Sequence, residues 1–224
     1  MPRTGFDIAG SDDKRSAMVI HPDDRILFTG DSITDCGRDR NDPGSLGVGY
    51  AHIAGAHLQA QLASPALKIF NRGISGNRVC DLLDRVEADL LALKPSVVSV
   101  LIGINDVWRR YDSNNPTAPE AFERDYRTLL EKIATIKARV VLLEPFVLHV
   151  PADRFAWRED LNPKIDITRQ LAIDFGAELL PLDGLFAQAA TQAPPAYWAA
   201  DGVHPSPAGH ALIAETWLEN AGLP

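Results

Sequence analysis

Cysteine is scarce in this sequence. Among 224 residues there are two, Cys36 and Cys80. Two thiols do not make a disulfide framework, and no C-x-x-C pair supplies a zinc-type spacing. Free thiols suit a reducing compartment, so a cytoplasmic location is the expectation. Positive charge is also short: 22 Lys and Arg against 30 Asp and Glu give a formal net charge of −8. Nucleic acid and anionic membranes both call for clustered positive charge, so neither is an expected partner. No uncharged run is long enough to span a bilayer. The opening stretch MPRTGFDIAGSDDKRSAMVIHPDD lacks an apolar core with a small-residue cleavage site, and does not read as a signal peptide. It reads as a polar arm, residues 1–24, ahead of one domain at 25–224. Internal repeats, low-complexity tracts and a second domain are absent from the pattern.

Apolar residues are plentiful, at 46%, which is enough to bury a core. They fall into short continuous runs at 26–29, 67–70, 97–102, 140–143 and 178–180, the pattern of strands buried on both faces. Between them lie longer amphipathic stretches at 46–62, 79–93, 119–137, 162–175 and 208–220, which predict helices. Alternation of this kind predicts a three-layer αβα sandwich around a central five-stranded parallel sheet. Sites in such sheets lie at the carboxyl ends of the strands. Unusual polar residues fall just there.

Four segments carry candidate chemistry. In Gly30-Asp31-Ser32-Ile33-Thr34 a serine follows a strand-ending glycine where a helical turn should begin. It is a nucleophile if a base can reach it, although Asp31, Ser32 or Thr34 could equally be a plain helix cap. In Asn71-Arg72-Gly73-Ile74-Ser75-Gly76-Asn77 the Gly73 amide can donate to an oxyanion, or the glycine can simply serve a tight turn. In Gly103-Ile104-Asn105-Asp106 the Asn105 amide follows a very apolar strand and either points into a pocket or forms an Asx-turn. In Asp201-Gly202-Val203-His204-Pro205-Ser206 an acid three residues before a histidine can hold Nδ1 and leave Nε2 as a base. A metal pair there would lack further ligands. His52, His57 and His210 fall on predicted helices as surface or boundary residues, and His149 has no carboxylate at a useful spacing.

These segments, in this order, resemble the sequence blocks of the SGNH (GDSL) hydrolase family, which supply a Ser, a Gly, an Asn and a His. The match runs through Ser32, Gly73, Asn105 and His204, from about residue 25 onward, with Ile33 where the family name implies leucine. The phrases GDSITDCGR, GISGN, GINDVWRRYD and DGVHPSPAGH are further similar to intracellular acetylxylan esterases and related carbohydrate deacetylases of that family. The resemblance implies a flavodoxin-like SGNH fold and a serine esterase that needs no metal or organic cofactor. Its catalytic residues would be Ser32, Asp201 and His204. The oxyanion donors would be Ser32, Gly73 and Asn105, with Asp31, Asn77, Trp108 and Trp198 around the substrate. The expected partner is a small acetylated sugar, with self-assembly into a homo-oligomer possible. The competing expectations are a lysophospholipase, thioesterase or arylesterase using the same groups, and a non-catalytic carbohydrate-binding relative.

Overall fold

The computed structural model describes residues 18–223. The first 17 positions of the expected N-terminal arm therefore lie outside the described residues. The rest of the arm is packed: Met18 and Ile20 join a hydrophobic core, and Asp24 is buried against Arg139 and the Ser96 hydroxyl.

In chain order the elements are β1 (Arg25–Gly30), α1 (Ser32–Asp35), α2 (Tyr50–Leu62), β2 (Lys68–Gly73), α3 (Val79–Asp84) and α4 (Val86–Asp89), then a 3₁₀ turn at Leu91–Leu93. Next come β3 (Val97–Leu101), α5 (Ile104–Ser113), α6 (Pro119–Thr135) and β4 (Arg139–Leu143), then a 3₁₀ segment at Ala152–Trp157. The chain closes with α7 (Arg158–Phe175), β5 (Glu178–Leu180), α8 (Leu182–Ala189), α9 (Pro195–Trp198) and α10 (Pro207–Asn220). The five strands form one parallel sheet in the order β2-β1-β3-β4-β5. This is the predicted α/β architecture.

Strand alternation divides the core. Ile26, Phe28, Val97, Leu101, Val141 and Leu143 belong to one apolar cluster, and Leu27, Val98, Val100 and Leu142 to the other. Helices α2 and α10 pack together on the first face, while α3 and α6 pack together on the second. Within the central strand, the buried Ser99 accepts a 3.1 Å hydrogen bond from the Trp217 indole N–H of α10, which satisfies both groups.

The helices differ from expectation in three ways. The helix expected at 46–62 starts at Tyr50, because residues 44–49 turn back so that the Val48 amide donates to the Cys36 carbonyl. The helix expected at 79–93 breaks at Arg85. That guanidinium turns inward and donates to the Arg72 and Gly30 carbonyls at the strand ends and to the Asp89 carboxylate. Finally, α5, α8 and α9 have no counterpart among the predicted helices. In α5 the strand passes straight into helix through Gly103, whose φ of 123° is open to glycine.

Candidate active site

The strand register puts Gly30 beside both Gly73 and Leu101, so the loops after β1, β2 and β3 leave the sheet together. Ser32 is the first residue of α1. Asp31 caps that helix by accepting from the Ile33 amide at 2.9 Å. The Ser32 hydroxyl lies 2.8 Å from His204 Nε2. On the other side of the ring, His204 Nδ1 is 2.6 Å from Asp201 Oδ2. Asp201 Oδ1 accepts the His204 and Val203 amides at 2.8 and 3.0 Å. An ionised carboxylate only accepts, so Nδ1 carries the proton and Nε2 is free to accept from Ser32. Partial burial pushes the Asp201 carboxyl up. The His204 side-chain bond and the two backbone amides outweigh that and hold it below the usual carboxylate range.

Asn105 lies in the first turn of α5 and is 3% exposed. Its amide is fixed at both ends: Nδ2 donates to the Asn77 carbonyl at 3.0 Å, and Oδ1 accepts from Arg109 at 3.2 Å. One Nδ2 proton remains for a ligand.

Gly73 is a correction. Its amide donates to the Asn71 side chain at 2.8 Å, and a Cβ on it would stand 2.3 Å from the Asp35 nitrogen. The glycine is there because β2 and α1 touch, and its N–H is already used. Gly76, three residues on in the same loop, is exposed, and its amide has no hydrogen bond among the described residues. Asp35 fixes this loop to α1 by accepting from the Ser75 amide and hydroxyl at 3.0 and 2.9 Å. Asp35 stands in the GDSITDCGR phrase, but its role is invisible until the two loops meet.

Three of the four expected substrate residues are turned to other uses. Asp31 is 1% exposed, and its carboxylate is engaged in capping α1 at the Ile33 amide. Its Oδ2 has no hydrogen-bond partner, and burial raises the carboxyl to about 7 despite the Ile33 amide. The Asn77 side chain accepts from Arg85 at 2.8 Å, so this residue acts through its carbonyl on Asn105. The Trp198 indole donates inward to the Ala189 carbonyl at 3.0 Å, and its own carbonyl accepts from the Ser206 amide. Trp108 does face the site, with its ring centroid 5.7 Å from that of His204. Behind it stand Trp157 at 5.3 Å and then Tyr111, stacked on Trp157 at 5.1 Å.

His210 is a second correction. It is 5% exposed, not on the surface. Its Nδ1 accepts the Tyr50 amide at 3.2 Å, and Nε2 is 3.2 Å from the Cys36 sulfur. Burial, with the nearby His204, lowers its pKa to about 4. His52 and His57 are exposed, as expected.

A parallel sheet with a serine, an imidazole and a carboxylate in hydrogen-bond sequence at its carboxyl edge defines a hydrolase-type architecture. The sequence matches the model of the GDSL-like lipase/acylhydrolase family over residues 28–212. Acetylxylan esterase of Geobacillus stearothermophilus is 34% identical over 213 residues, covering 92% of this chain and 97% of the relative. A solved form of that esterase, described as a catalytic mutant, superposes with a TM-score of 0.84 at 33% identity, covering 92% and 98% of the two chains. An α/β hydrolase from the metagenome of Lake Arreo, Spain, superposes with a TM-score of 0.82 at 35% identity, covering 89% and 95%. The chain belongs to the GDSL-like lipase/acylhydrolase family and has the SGNH hydrolase fold. It is a carboxylic ester hydrolase.

Proposed function

We propose that this enzyme removes acetyl groups from carbohydrate, with acetylated xylo-oligosaccharides as the substrate class, through a covalent acyl-enzyme on Ser32. The observation that carries the mechanism is the line from Ser32 Oγ to His204 at 2.8 Å and from His204 to Asp201 at 2.6 Å. His204 Nε2 takes the hydroxyl proton as Ser32 Oγ bonds to the ester carbonyl carbon. Asp201 keeps the proton on Nδ1 and steadies the imidazolium. The imidazolium then gives its proton to the departing sugar oxygen as the C–O bond breaks. Water then enters, loses a proton to His204 and attacks the acetyl carbon, and the imidazolium returns that proton to Ser32 Oγ as its bond to carbon breaks and acetate leaves.

The developing oxyanion needs donors that are not already engaged. The Ser32 amide, the remaining Asn105 Nδ2 proton and the Gly76 amide meet that requirement, and the Gly73 amide does not. Support for the catalytic set also comes from the Geobacillus esterase. Its solved catalytic mutants replace a serine, a histidine, or an aspartate three positions before that histidine. Trp108 and Tyr111, both packed against the buried Trp157, offer apolar faces of the kind on which sugar rings stack.

Two measurements test this reading. Ser32→Ala should lower turnover by about 10⁴-fold or more while circular dichroism stays native, and His204→Ala should cost more than Asp201→Asn. Active Ser32→Ala would refute the nucleophile. Acetate should be released from acetylated xylo-oligosaccharides, and p-nitrophenyl acetate should be favoured over longer acyl esters. A clear preference for long chains would replace the deacetylase reading with that of a lysophospholipase or thioesterase.

A further inference from the structure

We propose that Arg154 is a positioning residue for His204, fixing both the loop that carries the acid and base and the indole on which the imidazole rests. This inference rests on the assignment of His204 as base. Arg154 comes from the 3₁₀ segment after β4, far in sequence from every motif, and its side chain is only 13% exposed. Its formal partner Asp153 is 65% exposed, and an ion pair that open to water does not explain the burial of a guanidinium.

The contacts that do explain it all lead to the base. Nε donates to the Asp201 carbonyl at 3.1 Å. The side-chain stem lies against Gly202, where an added Cβ would stand 3.2 Å from Arg154 Cγ. The guanidinium carbon lies 4.1 Å from the Trp157 ring centroid and 5.3 Å from that of Trp108. Trp108 is in turn the ring beside His204.

The loop is otherwise tied by backbone hydrogen bonds and by its own Asp201 and Ser206 side chains. The Leu148 amide donates to the Gly202 carbonyl, the Gly202 amide to Ala199, and the Ser206 amide to Trp198. At Asp201, the residue that orients the imidazole, the carbonyl is held by a side chain. One planar cation can donate at its edge and stack on two indoles with its face, and lysine cannot do both. With Arg154 gone, the Asp201–His204 loop and the Trp108 wall lose their shared contact. Small displacements of a reacting group cost about 10²-fold.

The test is steady-state kinetics of Arg154→Met and Arg154→Lys with p-nitrophenyl acetate, beside thermal unfolding of each variant. Methionine retains the stem without charge, and lysine retains the charge without the plane, so one remains informative if the other fails to fold. Both should show kcat reduced about tenfold to a hundredfold with KM changed less than about twofold. Fluorophosphonate labelling of Ser32 should slow in step, and millimolar guanidinium should restore part of the turnover of Arg154→Ala. A folded Arg154→Met with undiminished kcat overturns the role, as does a loss confined to KM. His204→Ala separates the two claims: full turnover there fells the reading of the site itself, whereas an inactive His204→Ala beside an undiminished Arg154→Met overturns only the role of Arg154.

Discussion

The Tyr50 amide donates to His210 Nδ1, so a proton on that nitrogen would break a buried hydrogen bond. This is the chemical counterpart of its depressed pKa, about 4 against the ordinary 6.5, which burial causes first. The unfolded chain then binds a proton in this interval that the folded chain refuses. The stability that His210 contributes is therefore complete above about pH 6.5 and is lost as pH drops towards 4, by on the order of 3 kcal/mol in full. Urea unfolding of the wild type and His210→Phe at several pH values should show a shallower acid slope in the variant. Parallel slopes would assign the loss to other groups. Asp31 has the opposite sign. Its folded pKa of about 7 exceeds the ordinary 3.8, so the stability it confers is present at low pH and is lost as pH rises through 7. Asp31→Asn should gain in melting temperature relative to wild type between pH 5 and pH 8, and a difference that stays constant would contradict the burial argument. Gly73 makes a third case. A Cβ would collide with the Asp35 nitrogen, so Gly73→Ala should lose about 1–3 kcal/mol in urea titration, and a neutral result would mean that α1 moves freely against β2.

The strands are legible in the sequence because residues buried on both faces leave continuous apolar runs, as in Val97–Leu101, where all five residues are buried. Helices α6 and α10 are legible from their periodicity and from the prolines at their starts. Other elements owe their form to partners distant in sequence. Arg85 breaks a helix because it reaches Gly30 and Arg72, and no local pattern announces that. The same holds within the site. The serine, aspartate, asparagine and histidine stand in short phrases, but the engagement of the Gly73 amide depends on the neighbouring Asn71 side chain being held by the Thr34 and Leu46 carbonyls. Ser206 joins helix and site: its hydroxyl accepts from the Gly209 amide and donates to the Tyr197 carbonyl. Ser206→Ala removes the cap of α10 just after His204. It should cost about 1 kcal/mol in chemical denaturation and lower kcat by a few-fold. An unchanged unfolding midpoint would show that the cap is dispensable.

Across the whole molecule, function depends on the sheet bringing distant loops to one edge. Ser32 and His204 are 172 positions apart and in hydrogen-bond contact, and between them the chain supplies Gly76, Asn105 and the aromatic wall. No helix among the described residues is long and apolar enough to cross a membrane. The central claim is that Ser32 Oγ becomes the covalent carrier of the acyl group, and it is tested most directly by treating the enzyme with a fluorophosphonate and mapping the adduct by peptide mass spectrometry. One phosphonyl group on Ser32, with no labelling in Ser32→Ala and strongly slowed labelling in His204→Ala, is the predicted result. An adduct on another residue, or an active enzyme that takes up no label, would contradict the account.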